Sequence, residues 1–182
     1  MSERIGAVVP IHDAQDPMVV GTKARSLSLL DRAGLPVPAG FCIAASAYRE
    51  HAARAGVDSL KAILRQVPAD APDLALSPIL QRIRAAITHT PLDPEMEREV
   101  LERFAMLGSS SVSVRSSVTE ADMPSGPLVG RHGTYFAAGP DAMLRSVKHC
   151  WASLWGNAVW ADRLHSQLAD TDVNVAVVVA PW

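Results

Sequence analysis

The chain has 182 residues, 48% of them apolar, 20% charged and 5% aromatic, with a formal net charge of -2. That length and apolar content suit one domain or slightly more, with a core of its own. The near-neutral charge excludes a long-range pull toward nucleic acid or an anionic membrane surface, so any anion site has to be local.

No apolar run approaches the roughly 20 residues that cross a bilayer. With Glu3 and Arg4 ahead of only a short apolar run, no signal peptide is expected. The two cysteines, Cys42 and Cys150, lack metal-like spacing and read as buried thiols of a reduced, cytoplasmic protein.

Residues 1–20 read as irregular, because Pro10, Asp13, Asp16 and Pro17 interrupt any period. Gly21-Thr22-Lys23 then leads into a helix of about ten residues, with Leu27 and Leu30 at helical spacing and Gly34 placed to cap its end. Lys23 in the first turn of that helix opposes the helix dipole, and a bound anion would reverse the sign. Gly34 to Gly40 is extended around Pro36 and Pro38. Phe41 to Ala45 reads as a short buried strand, with Ser46 capping the next helix.

Residues 58–107 read as helical segments separated by Pro68, Pro72, Pro78, Pro91 and Pro94. They carry two apolar stripes: Ile79, Leu80, Ile83 and Ile87, then Val100, Leu101, Phe104 and Leu107.

From Ser111 the pattern changes. Val112 and Val114 alternate with Ser111, Ser113 and Arg115, the period of a strand with one apolar face. Arg115 and a run of hydroxyls stand at its end, and a Gly- and Pro-rich loop of roughly a dozen residues follows, a length at which loops tend to be functional. The loop ends in Gly130-Arg131-His132-Gly133-Thr134, and Thr134 to Ala138 reads as a second strand pairing with 112–115. Gly139-Pro140-Asp141 starts a helix with Met143, Val147, Cys150, Trp151 and Leu154 inward, and another covers about 157–168. The spacing of Trp151, Trp155 and Trp160 follows the helix period and reads as packing. Val173 to Val179 is an apolar strand after which further chain is expected.

No Walker loop, Gly-x-Gly-x-x-Gly or Gly-x-Ser-x-Gly elbow is present, and the six histidines lack metal-ligand spacing. The chemistry-bearing inventory is therefore Lys23 with its glycine and helix start, and Arg115 with its hydroxyls and loop. Cations, amides and hydroxyls suit a polyphosphate and no metal centre. Glu120 and Asp122 are the nearest carboxylates for a phosphate-bound cation.

Three ordered motifs carry a family resemblance. Gly-Thr-Lys-Ala-Arg-Ser-Leu with Ala-Gly-Leu-Pro-Val-Pro-Ala-Gly-Phe, Val-Arg-Ser-Ser-Val-Thr-Glu-Ala-Asp-Met-Pro, and Cys-Trp-Ala-Ser-Leu-Trp stand in the chain in that order. Together they resemble the N-terminal ATP-binding domain of the phosphoenolpyruvate synthase, pyruvate phosphate dikinase and rifampicin phosphotransferase family. The resemblance runs over about residues 19–182, after a segment 1–18 outside it.

It implies an α/β (α+β) fold, a partial ATP-grasp-like domain with a small mixed sheet flanked by helices. It implies that Lys23 and Arg115 act on the ATP phosphates, with Gly130, Arg131 and Thr134 lining the same site. Stabilisation of the transferring phosphoryl group by Lys, Arg and Mg²⁺ is the expected chemistry. The departures are Thr22 for the family's second glycine, Ala121 for an acidic residue, Pro127 and Leu128 in the loop, Arg131 for Gln, and Ala180-Pro181-Trp182 at the hinge.

Only the first ATP-grasp subdomain is matched. The implied function is accordingly the ATP-binding part of a phosphotransferase, with Mg²⁺ ligands, second subdomain and phosphohistidine domain supplied by further residues or a second polypeptide. The competing expectation is a non-catalytic nucleotide- or protein-binding module of the same descent, using the final strand as a docking edge.

Overall fold

The computed structural model describes residues 7–68, 73–119, 133–165 and 173–182. Five strands, β1 (Val8–Pro10), β2 (Phe41–Ile43), β3 (Ser111–Val118), β4 (Thr134–Ala138) and β5 (Val175–Pro181), form one sheet in the order β1-β2-β5-β3-β4. All four pairings are antiparallel. The helices are α1 (Pro17–Arg32), α2 (Ala45–Arg54), α3 (Val57–Leu64), α4 (Asp73–His89), α5 (Pro94–Met106), α6 (Pro140–Ser153) and α7 (Asn157–His165). This is an α/β chain with a small open sheet flanked by helices, the sheet antiparallel where a mixed one was expected.

Both faces of the sheet are covered, which is why β5 reads as an unbroken apolar run. Successive side chains of a strand point to opposite faces. Val175, Val177 and Val179 accordingly join Val112, Val114, Phe41 and Ile43 in a large core with Trp151, Met143, Leu80, Ile83 and Ile87. Ala176 and Val178 join Cys42 in a smaller core with Val20 and Ala24 of α1. Alanines on both sides of this second interface let α1 lie close on the strands. Cys42 and Cys150 therefore sit in different cores, both buried and free.

Local signals explain the starts of α1 and α5 and the end of α1. Asp16 accepts from Met18 N–H with Pro17 at the first helical position of α1. Asp93 does the same for Glu95 and Met96 ahead of Pro94 in α5. At the end of α1, Gly34 N–H donates to Asp31 and Leu35 N–H to Leu30, both carbonyls of the last turn, closing a Schellman motif.

Several expectations are corrected. Residues 7–18 are ordered: Val8–Pro10 is an edge strand against β2, too short to show alternation, and Ile11–Asp13 is a 3₁₀ turn. α1 begins at Pro17, because Asp16-Pro17 is a cap signal rather than a break. Ser46 is inside α2, whose cap position is Ala44, since buried Ala45 pins the helix start to the sheet. Pro78 lies within α4, where it forfeits its own backbone bond while Leu80, Ile83 and Ile87 carry the helix on. The final strand is no free edge: β5 is the middle strand, hydrogen-bonded to β2 on one side and β3 on the other, which removes the docking edge expected of it.

The tryptophans pack as their spacing implies. Trp151 lies against His51 at 4.9 Å, Trp155 Nε1 donates to Tyr48 Oη at 3.0 Å, and the Arg163 guanidinium lies over Trp155 and Trp160.

His51 itself is 2% exposed and hydrogen-bonds the Ile87 carbonyl at 2.9 Å, which makes Nε2 the protonated nitrogen. Burial first, then Lys148 and Arg54, pushes its pKa down against the pull of that carbonyl. A lowered folded-state value means that the unfolded chain takes the proton first as pH falls through about 6.5. Stability is then lost until the folded-state value is passed. Urea midpoints are expected to fall between pH 7 and 5 in the wild type and to fall less in His51→Gln; parallel profiles would refute the assignment.

Candidate phosphate-binding site

Three of the expected site residues, Lys23, Arg115 and Thr134, come together within β3, where its pairing with β4 ends. Ser111 accepts from Trp182 N–H, and Thr119 donates to Asn174, so these odd-numbered residues turn their backbone groups toward β5. By the alternation of an antiparallel ladder, Ser116 turns its carbonyl to the β4 side. β4 starts at Thr134, the partner of Arg115, one position short of that carbonyl. The Lys23 ammonium donates to it instead, at 2.7 Å. Lys23 is thus held at the edge of β3 just beyond the first residue of β4.

Arg115 is exposed and pairs in register with Thr134 on one side and Val178 on the other. Opposed residues share a face, so Arg115 and Thr134 stand on the α1 face with Val178. Lys23, Arg115 and Thr134 are therefore brought together from positions far apart in sequence. Gly130 and Arg131 lie outside the described residues, as do Glu120, Asp122, Pro127 and Leu128.

The electrostatics of the pair are unfavourable as they stand. The Lys23 pKa is lowered, chiefly by burial and then by the Arg115 guanidinium, with Cys150 opposing. Among the described residues, neither cation forms an ion pair with a carboxylate. Cys150, buried below, has its own thiol pushed up to about 12 by that burial, so it supplies no thiolate counter-charge at neutral pH.

α1 is bent at this point. Gly21 has φ 73° and ψ 168°, inside an otherwise helical segment, and the helix resumes after it. Ala24 N–H donates to Ser117 Oγ at 3.2 Å in a buried position. The amides of the resumed helix and the Lys23 side chain thus both meet β3.

The run of hydroxyls is used differently from its expected role as ligand donors. Ser117 caps the helix, and Ser116 turns its hydroxyl to the other face, buried and without a partner. Ser117 and the Ser116 carbonyl were missed as structural parts of the site because their partners are 93 residues away.

A separate cleft of about 430 Å³ among α2 and α5, lined by Glu50, His51, Arg54, Asp93, Glu95 and Glu99, contains neither cation. Among the described residues no group of three His, Cys, Asp or Glu is placed to hold a metal ion, and no helix is long and apolar enough to cross a membrane.

Residues 17–181 match the family model described as pyruvate phosphate dikinase, AMP/ATP-binding domain. A rifampicin phosphotransferase of Streptomyces sviceus is 33% identical over 172 residues, covering 92% of this chain and 20% of the relative. A probable phosphoenolpyruvate synthase of Staphylothermus marinus is 34% identical over 150 residues, 77% of this chain and 18% of the relative. The phosphoenolpyruvate synthase of Aeropyrum pernix is 32% identical over 169 residues, 88% and 21%. The chain spans about a fifth of the length of these relatives. With a glycine-broken helix, a lysine and an arginine meeting where β4 leaves β3, and a match running from Pro17 to Pro181, the chain belongs to the pyruvate phosphate dikinase AMP/ATP-binding domain family.

Proposed function

We propose that Lys23, Arg115 and Thr134, with Gly130 and Arg131 shortly before Thr134 in sequence, bind the phosphates of ATP·Mg²⁺, and that the chain serves as the ATP-binding part of a phosphotransferase of the phosphoenolpyruvate synthase and pyruvate phosphate dikinase type. The observation carrying this reading is the convergence of two cations without a carboxylate partner among the described residues. A half-buried lysine beside an arginine loses electrostatic energy until an anion arrives.

Mg²⁺ would arrive with the triphosphate. Its further ligands, the rest of an ATP-grasp-type enclosure and the histidine that accepts the phosphoryl group would come from other residues of a longer polypeptide or from a second one. Burial of both free cysteines in separate cores is compatible with a reducing cytoplasmic setting.

Calorimetric titration of ATP·Mg²⁺ tests the site. Saturable binding is expected, and Lys23→Ala is expected to weaken it by roughly 10- to 100-fold, the loss of one charge-assisted contact. Because the free chain holds the Lys23 pKa low and the bound phosphate returns it upward, binding between those two values takes up protons. Heats measured in buffers of different ionisation enthalpy read that uptake directly. Affinity unchanged in Lys23→Ala would remove Lys23 from the site.

A further inference from the structure

A helix that starts at a glycine has no side chain to satisfy its first free amides. α1 restarts after Gly21 and meets this difficulty by borrowing a hydroxyl from the sheet: Ser117 Oγ accepts from Ala24 N–H, three residues past the glycine, where an N-cap side chain would normally reach. Ser117 is 1% exposed, so the capping oxygen is sequestered from bulk water. The contact is also as close as the backbone allows, since a Cβ on Gly21 would overlap the Ser117 carbonyl and hydroxyl. Three successive residues of β3 thus have three separate tasks. Arg115 offers its guanidinium, the Ser116 carbonyl takes the Lys23 ammonium, and the Ser117 hydroxyl holds the helix that carries Lys23.

We propose that Ser117 is the positioning residue of this site: by capping the helix that restarts after Gly21, its hydroxyl fixes where Lys23 presents its ammonium relative to Arg115. That the two cations bind phosphate rests on the function proposed above; the positioning of Lys23 is measurable without it. Ser113 provides a control four residues back on the same strand. Its hydroxyl is also buried but donates to the Ala180 carbonyl of β5 instead of capping α1.

The chain has three lysines, Lys23, Lys61 and Lys148, so ¹³Cε-labelled lysine gives three resonances, with Lys23 assigned from Lys23→Arg. In the wild type Lys23 titrates below the ordinary lysine range. In Ser117→Ala its shift and titration are expected to move toward those of an exposed lysine, and ATP·Mg²⁺ affinity to fall about tenfold. Ser113→Ala should match the wild type in both.

The affinity loss acts through Lys23, so Ser117→Ala in a Lys23→Ala background should cost nothing further. A Lys23 titration in Ser117→Ala that superimposes on the wild type, or moves equally in Ser113→Ala, overturns the proposal. If the titration moves and no chain binds ATP·Mg²⁺, Ser117 positions Lys23 as stated and the phosphate reading alone fails. Circular dichroism checks folding. Should Ser117→Ala fail to fold, Ser117→Cys keeps the volume with a poorer acceptor and gives the same readout.

Discussion

Gly21→Ala will destabilise the chain by about 3–5 kcal/mol, the largest effect expected of any single-methyl change here. Two costs combine. The backbone at φ 73° and ψ 168° lies in a region open essentially to glycine alone, worth about 1–3 kcal/mol for another residue. The added methyl also meets backbone, with the Ser117 carbonyl carbon at 2.6 Å from its position, and a packed strand has no rotamer with which to yield. Gly34 is the internal comparison: it has φ 77° but nothing within 4 Å of a built Cβ, so Gly34→Ala should cost only about 1 kcal/mol. Urea denaturation reads both as midpoint shifts at constant slope. A Gly21→Ala cost below that of Gly34→Ala would show that the contact with β3 yields freely.

Arg115→Ala should do the reverse, leaving stability within about 0.5 kcal/mol of wild type and removing most nucleotide affinity. The side chain is exposed and its Cβ sits in a strand paired on both sides, so folding loses little. A phosphate loses a planar fork of donors, worth about 1.5–3 kcal/mol or roughly 10- to 100-fold in Kd. Arg115→Lys should fall between, because it keeps the charge and loses the fork. Removing the guanidinium also removes a like charge from beside Lys23, so the Lys23 pKa should rise in Arg115→Ala while burial still holds it below the ordinary value. Wild-type affinity in Arg115→Ala, measured by calorimetry, would exclude the arginine from phosphate binding.

What could be read from the sequence was local. The ribbon of 112–115 with 134–138, the Pro140 helix start and the inward face Met143, Val147, Cys150, Trp151 and Leu154 follow from periods and caps and are present, with β3 running on through Ser116 and Ser117 to Val118. Lys23 was legible as a candidate because a lysine in the first turn of a helix opposes the dipole, and Arg115 because a strand carrying it and a run of hydroxyls leads into a long Gly- and Pro-rich stretch. Their meeting at Ser116 was not, since it depends on the register of β3 against β4 and on α1 crossing the sheet. Asp16-Pro17 was misread as a break because the same two residues serve turns and helix caps. The hydroxyl of Ser117 looked like a ligand donor, and only the fold brings it its partner, the Ala24 N–H 93 residues away.

The strand order has a kinetic consequence. β5, the last strand in sequence, lies between β2 and β3, so two ribbons made earlier, β1 with β2 and β3 with β4, share no sheet contact until residues 175–181 insert between them. During synthesis the ribosome therefore holds two unpaired strand edges, Phe41–Ile43 and Ser111–Val118, for the time needed to translate all of α6 and α7. Sheet closure is a late, long-range step, slow by its contact order. Exposed edges of that kind are where nascent chains aggregate or recruit chaperones.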